Sequence, residues 1–227
     1  MKQQESNLDN YKLNIPLTLA ATIGRYIEGE IIEGRLESGA KLSPEEIAQN
    51  FEVSKIPVRE ALMALKEEGL VSLKPRMGFF VAVINLEDIE QIYAIRTVLY
   101  PFVFKTILEN GFEQDLLKNA KRILNMMKER VEAGDVEGYF SHVNQLSDLY
   151  LGICPNVHLV KIINNLGKKI LRMRFMSLSK IQYIKDSLSL HMKVFNAFKR
   201  KDVDKTVKNA EAIIIRGLDV LRETFPN

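Results

Sequence analysis

The sequence predicts a mostly α-helical protein, with a small N-terminal domain that contains one β-hairpin and a C-terminal, all-helical antiparallel bundle. Apolar residues recur at helical spacing along most of the chain. Two β-prone apolar runs lie close together, at residues 70–73 and 79–83, with turn-forming Pro and Gly between them. The length of 227 residues suits two modest domains. We therefore place the first domain at residues 17–84 and the second at residues 85–227.

The N-terminal residues 1–16 are polar and show no periodicity, so we expect them to form a mobile tail. The first helix is predicted from Leu17 to Glu33, because isoleucine recurs there every four residues, at Ile23, Ile27 and Ile31.

Two short helices are predicted next, joined by about three residues. Ser43 is expected to cap the first of them, and Pro44 suits its first position. Ser54 is expected to cap the second, whose inner face has apolar residues at helical spacing, namely Val58, Ala61, Leu62 and Leu65. This pair is typical of a helix-turn-helix. With the hairpin behind it, the domain is predicted to be a winged helix-turn-helix.

The outer face of the second helix carries Lys55, Ile56, Arg59 and Met63. Lys55 and Arg59 lie one turn apart and therefore point in the same direction. A helix that presents two cations from its first turns can enter the major groove of DNA, where Lys and Arg meet guanine acceptors or phosphates. Arg76, at the tip of the hairpin, could reach a phosphate or the minor groove.

Four segments carry a resemblance to a known family: residues 34–43, 53–62, 67–71 and 76–81, the second of which reads Val-Ser-Lys-Ile-Pro-Val-Arg-Glu-Ala-Leu. They resemble the winged helix of GntR-family bacterial transcription regulators. The helical remainder is similar to the ligand-binding domain of the FadR-type (FCD-like) subgroup. The resemblance implies DNA contacts from the start of the second helix and from the hairpin, at Ser54, Lys55, Ile56, Pro57, Arg59, Lys74, Arg76 and Gly78.

The chain departs from the family pattern at three positions. Lys55 stands where the family has an arginine, Ile56 where a threonine is frequent, and Glu45 where a basic residue is frequent. Because lysine is a point charge and arginine a planar fork, base discrimination by Lys55 is expected to be softer. Residues 11–84 hold nine Lys and Arg against ten Glu, so DNA binding must depend on local placement of the cations.

Beyond Asn85, which is expected to cap a new helix, the chain is predicted to be helical to its end. Short connections between successive helices predict the antiparallel bundle. The predicted helices run from there to about residue 109, and then over residues 112–133, 136–153, 156–177, 179–199 and 203–223.

In the subgroup that this half resembles, the bundle surrounds a cavity for a small acid, and many members hold a divalent metal there. Their ligand set falls on Asn144, Asp148, His191 and a position near Ile213, so one histidine of three is kept. We therefore expect no metal cofactor; any metal would have Asp148 and His191 as its ligands. The expected effector pocket comprises Arg96, Asn144, Asp148, Arg172, Arg174 and His191.

Simpler explanations stay open for parts of this pocket. Arg172 and Arg174 belong to residues 161–200, which hold ten Lys and Arg against one acid. A solvated basic helix face is the commoner explanation of such a run. His191 could equally be a histidine that is hydrogen-bonded within the bundle.

The single cysteine, the polar N-terminus and the lack of a long apolar run suit a cytoplasmic protein. The predicted function is that of a sequence-specific DNA-binding transcription regulator, and repression is more usual in the family than activation. It would bind a pseudo-palindromic double-stranded DNA operator as a homodimer, and a small acidic effector. Alternatives are a ligand-independent DNA-binding or adaptor protein and an enzyme in the helical domain. We predict no enzyme, because the sequence lacks Gly-x-Ser-x-Gly, His-Glu-x-x-His and a phosphate loop.

Overall fold

The computed structural model describes residues 18–83, 85–177 and 181–224. The expected mobile tail, residues 1–16, lies outside these ranges. Two separate hydrophobic cores are present in the described part, one in the N-terminal region and one in the helical region. None of the helices in these ranges is long and apolar enough to cross a membrane.

The N-terminal region is built from three helices and three short strands: α1 (Leu19–Ile32), β1 (Lys41–Leu42), α2 (Pro44–Asn50), α3 (Lys55–Glu67), β2 (Val71–Lys74) and β3 (Gly78–Val81). Its core forms where the isoleucine face of α1 packs against α3. The inner face of α3 is the predicted one, since Val58 and Leu62 are fully buried there. The predicted winged helix-turn-helix is confirmed.

The strands form one antiparallel sheet in the order β1-β3-β2. The predicted hairpin is the β2–β3 pair, in which Lys74 lies opposite Gly78. Strand β1 was not predicted. It adds Lys41 and Leu42 to the other edge of β3, opposite Phe80 and Phe79. A strand of two residues is too short to show the alternation by which strands are recognised in a sequence.

Helix starts in this region follow the predicted capping residues with one exception. The hydroxyl of Ser43 accepts a hydrogen bond from the Glu46 amide at 3.3 Å, and Pro44 occupies the first position of α2. Ser54 stands at the N-cap position of α3 as predicted. Its side chain makes no capping hydrogen bond, so the prediction that the hydroxyl caps the helix is wrong. The Ser54 hydroxyl is therefore exposed at the start of α3.

The helical region is the predicted bundle, with α4 (Leu86–Asn110), α5 (Gln114–Ala133), α6 (Val136–Gly152), α7 (Val157–Lys169), α8 (Leu171–Ser177), α9 (Ile181–Lys199) and α10 (Val203–Thr224). Asn85 caps α4 as predicted, since its Oδ1 accepts from the Asp88 amide at 2.7 Å. The single helix predicted over residues 156–177 is wrong. The chain leaves helical geometry at Ile170, a fully buried residue that separates α7 from α8.

Aromatic side chains form the centre of this second core. Phe104 of α4 lies with its ring centroid 4.8 Å from that of Tyr150 and 6.0 Å from that of Phe198, in edge-to-face arrangements. Such pairs contribute beyond the area that they bury. The cluster joins α4 to α6 and α9, and α10 packs along both α4 and α9. These four helices, together with α8, form the walls of the cavity described below.

The two regions touch at the break between α7 and α8. Lys168, at the end of α7, forms an ion pair with Glu68, the residue that caps the C-terminus of α3. The Lys169 side chain lies against Gly69, where an added Cβ would be 2.9 Å from Lys169 Cγ. Gly69 also has φ of +81°, a conformation that favours glycine. The end of α3 is therefore in direct contact with the bundle.

Candidate functional site

The first turns of α3 form an exposed ridge. Lys55, Ile56 and Arg59 are exposed, and Ile56 retains 69% of its accessible surface. Pro57 is half-buried at the third helical position. A backbone N–H at that position would have no acceptor within the helix, so proline costs no helical hydrogen bond there. The exposed isoleucine between the two cations can contact a thymine methyl group. Ser54, at the N-cap, completes this ridge.

Glu45 of α2 forms an ion pair with Lys55, with 2.9 Å between Oε1 and Nζ. The hydrogen bond from Lys55 lowers the pKa of Glu45 below its usual value, with a smaller contribution from the charge of Arg59. Both partners are more than half exposed, so the pair is weak and easily broken. The sequence analysis identified Glu45 as a departure from the family but did not predict its partner.

The hairpin tip is the second exposed basic element. Lys74 and Arg76 are exposed there, and Arg76 (φ +62°) and Gly78 (φ +98°) both adopt left-handed backbone conformations. Lys74 Nζ lies 4.6 Å from the centroid of the Phe80 ring, which holds the lysine along the hairpin. The tip therefore presents two cations on a tight turn, as the sequence predicts.

A small cavity lies inside the bundle, with a volume of about 50 Å³. Three of the predicted pocket residues line it: Arg96 of α4, Arg174 of α8 and His191 of α9. The other polar lining residues are Tyr93, Tyr100, Ser147, Tyr183 and Ser187. Sequence analysis missed the tyrosines, although Tyr93 and Tyr100 stand three residues before and four after Arg96, on the same helix face.

Arg96 is a buried cation that lacks an anionic partner within the described part. It is 6% exposed, and its Nε has no hydrogen-bond partner there. Burial, and then the charge of Arg174, lower the pKa of Arg96 to about 10, so the guanidinium stays charged at neutral pH. The other groups that act on it are the hydroxyls of Tyr93, Tyr100 and Tyr183. Buried charges are normally paired, and this guanidinium could receive an anion in the cavity.

His191 adds a neutral group to the same cavity. Burial, and then the charge of Arg174, lower its pKa to about 4, so the imidazole is uncharged at neutral pH. Its Nε2 is buried and has no hydrogen-bond partner among the described residues. The hydrogen bond within the bundle that was left open for this histidine is therefore not found at Nε2.

The remaining predicted pocket residues lie elsewhere. Asn144 and Asp148 of α6 line an open cleft of about 340 Å³ that adjoins the cavity, and Arg96, Ser147 and Arg174 line both spaces. Burial raises the pKa of the Asp148 carboxyl above its usual value, although Arg174 opposes this. Arg174 Nη2 donates to Asn144 Oδ1 at 3.1 Å across the boundary. Arg172 lies on α8, and its side chain is outside the described atoms.

The residues present do not fit a divalent metal ion. Asp148 and His191, the two predicted ligands, line different spaces, and the charge of Arg174 acts on both of them. Within the described ranges, no three His, Cys, Asp or Glu side chains cluster closely enough to hold a metal. A resident guanidinium also repels a second cation, so no step is assigned to a metal.

Comparison with known proteins accounts for both regions. Residues 19–81 match the model of the bacterial regulatory proteins of the gntR family, and residues 91–215 match the FCD domain. The chain belongs to the GntR family. It is a DNA-binding transcription regulator with an FCD effector-binding domain. GntR regulators bind DNA operators through the first domain and small effectors through the second.

Relatives within the GntR family include two named repressors. The gluconate operon transcriptional repressor of Bacillus subtilis (strain 168) is 32% identical over 177 residues, which cover 76% of this chain and 72% of that protein. The HTH-type transcriptional repressor RspR of Escherichia coli (strain K12) is 24% identical over 193 residues, with 85% and 84% covered. These relatives are regulators, which points away from an enzyme.

A solved structure shares the fold over nearly the whole chain. Escherichia coli McbR/YncC superposes with a TM-score of 0.78 and 19% identity, covering 92% of this chain and 99% of that one. At this identity the likeness extends to the fold alone.

Proposed function

We propose that this GntR regulator is a repressor whose operator affinity is controlled by a small organic acid bound in the bundle cavity. The observation that carries this proposal is the buried Arg96 guanidinium, which lines a small cavity and has no anionic partner in the described part. Repression is the activity named for the gluconate operon repressor and RspR. It is the simplest assignment for a chain that is similar to both of them over most of its length.

The chemistry of the cavity favours a carboxylate. Arg96 and Arg174 supply two guanidinium groups, which pair with carboxylates through parallel N–H···O bonds. Uncharged donors surround them, namely the serine and tyrosine hydroxyls, and His191 Nε2 has no partner of its own there. The apolar side chains of Phe140, Val143 and Ile214 lower the local dielectric constant, which strengthens each charge interaction.

The ridge of α3 is proposed to bind the major groove, and the hairpin tip to bind the backbone or minor groove. Support comes from the exposure of Lys55, Ile56 and Arg59 at the start of α3, and of Lys74 and Arg76 on the hairpin. Recognition helices of this class place their N-terminal residues on base edges. Arg59 is assigned to a base, since its fork matches guanine, and Arg76 to a phosphate.

A homodimer is proposed because one winged domain offers too few contacts for specific binding. Helix α4 presents a row of exposed apolar side chains, Ile95, Val98 and Phe102, at the spacing of one helix face. Val98 is 70% exposed.

Light scattering should show that Val98→Glu dissociates the dimer, whereas Ile215→Glu, at an exposed apolar residue of α10, leaves it intact. A dimer that survives Val98→Glu would place the interface elsewhere.

Thermal unfolding with a panel of small acids tests the effector assignment, because a ligand of the native state raises the melting temperature. We expect at least one acid to stabilise the wild-type protein and to change its affinity for selected DNA. The same acid should not stabilise the Arg96→Met variant. A regulator that acts without a ligand would show no such acid. Turnover of the acid would favour the alternative of an enzyme.

A further inference from the structure

The bundle cavity is too small for most organic acids. Its volume of about 50 Å³ has room for roughly four water molecules, at about 10–15 Å³ each on this measure. A carboxylate with one or two carbons fits, whereas typical ligand pockets have about 300–1,000 Å³. A longer acid must therefore extend out of the cavity.

The cleft on the other side of Arg96 supplies that space. It has a volume of about 340 Å³, and it shares Arg96, Ser147 and Arg174 with the cavity. One wall comes from the bundle, through Asn144, Asp148 and Lys168. Another comes from the DNA-binding domain, through Glu28 of α1. The cleft therefore lies between the two domains, with the cavity directly behind it.

Arg174 forms the partition between the two spaces. It contacts Phe140, which lines only the cavity, with its guanidinium carbon 5.6 Å from the ring centroid. It also donates to Asn144, which lines only the cleft. A ligand that extends from the cavity into the cleft passes Arg96, Ser147 and Arg174, the three residues that line both spaces.

The cleft has the chemistry of a polar binding site. Its acceptors include the carboxyls of Glu28 and Asp148 and the amide oxygens of Asn144 and Asn164. Burial raises the pKa of both carboxyls above their usual values. Carboxyls that are costly to bury gain from a hydrogen-bond donor or a cation on a ligand.

We propose that the effector is a two-part acid, with its carboxylate in the cavity at Arg96 and a hydroxylated or amino-bearing body in the cleft between the domains. The proposal rests on the effector assignment above and extends it to the shape and polarity of the ligand. A body that reaches Glu28 touches the DNA-binding domain directly.

The same contact gives the ligand a route to the recognition helix. Lys168 lines the cleft, acts on Glu28 through its charge and forms the ion pair with Glu68 at the end of α3. A ligand body in the cleft competes for Lys168 and adds a contact to α1. Either change alters the position of α3 relative to the bundle. A ligand that makes different contacts in the two arrangements couples its own binding to that of DNA, as allostery requires.

Calorimetric titration of the full chain with four acids tests the proposal. Acetate fits the cavity alone, gluconate and 6-aminohexanoate add a polar body, and hexanoate adds length without donors. We expect gluconate or 6-aminohexanoate to bind at least tenfold more tightly than acetate, and hexanoate to gain less than threefold. Glu28→Gln and Asp148→Asn should each remove most of that gain, measured against the acetate affinity of the same variant. Glu137→Gln, exposed at the other end of α6, is the matched control.

The outcomes separate this inference from the effector assignment. If acetate binds through Arg96 and neither polar acid binds more tightly, the cavity assignment stands and the two-part ligand is refuted. Tighter binding that Glu28→Gln and Asp148→Asn leave unchanged would also refute it. Binding that survives Arg96→Met, or the absence of binding by all four acids, would overturn both proposals.

Discussion

Replacing Arg96 by Met removes a buried charge from the cavity while keeping a long, flexible side chain there. In the folded protein the pKa of Arg96 falls to about 10, chiefly because burial disfavours its charged form. One pKa unit corresponds to about 1.4 kcal/mol, so a fall of this size means that the charge costs about 3 kcal/mol in the folded state. Because the lowered pKa is that of a base, this penalty applies at every pH below about 10.

We therefore expect Arg96→Met to raise the free energy of unfolding of the ligand-free protein by about 1–3 kcal/mol. The lower end of this range allows for the lost contact between the guanidinium and the Tyr93 ring, whose centroid is 5.9 Å away. Such a cation–π contact contributes about 1–2 kcal/mol. Most substitutions of buried residues destabilise a protein, so the sign of this effect is informative.

Urea denaturation at neutral pH measures the change, with Arg122→Met, at an exposed arginine of α5, as the control for removing a positive charge. The control should change the stability by less than about 0.5 kcal/mol. If Arg96→Met lowers the stability by a kilocalorie or more, Arg96 makes a structural interaction that the folded protein needs. The reasoning that assigns it to an anionic ligand would then fail.

Three further predictions concern DNA and pH. Arg59→Ala should weaken binding to a selected operator by about 1–3 kcal/mol and relax the preference at one base position. Arg76→Ala should weaken binding to all DNA sequences evenly and reduce the slope of log affinity against log salt by about one. The opposite pattern in a binding selection would exchange their roles. Glu45→Gln frees Lys55 and removes a negative charge, so the affinity for random-sequence DNA should rise. The slope of log affinity against log salt concentration should become steeper by about one. Equal effects from Glu46→Gln beside it would exclude a specific role for the pair. The pKa of His191 is about 4 in the folded protein, so as the pH falls the unfolded chain binds a proton at this histidine before the folded chain does. About 3 kcal/mol of the free energy of unfolding should therefore be lost between pH 6.5 and 4. His191→Gln should flatten that profile, and His158→Gln should not.

Local signals made the DNA-binding half predictable. Caps, a turn between two β-prone runs and one apolar helix face depend on residues close together in the chain, and α1, α2, α3 and the hairpin follow from them. The elements missed there depend on distant partners. Strand β1 exists because of β3, about forty residues away, and Glu45 meets Lys55 only after α2 and α3 pack.

The cavity was predictable in part. Sequence analysis identified Arg96, Arg174 and His191, which come together from α4, α8 and α9. It could not divide the predicted pocket into a small cavity and a larger cleft, because that division depends on how Arg96, Ser147 and Arg174 lie between them. The break at Ile170 had a local signal that was overlooked, since Gly167, Lys168 and Lys169 stand just before it and such residues are frequent at helix ends. The ion pair between Lys168 and Glu68 joins residues one hundred positions apart.

The most direct test of this account is a crystal structure of the protein with the acid that stabilises it most in thermal unfolding. We predict a carboxylate oxygen within hydrogen-bonding distance of Arg96 Nε, the buried donor that has no partner in the described part of the ligand-free structure. Density for the acid on the exposed lysines of α7, with the surroundings of Arg96 unchanged, would contradict the account.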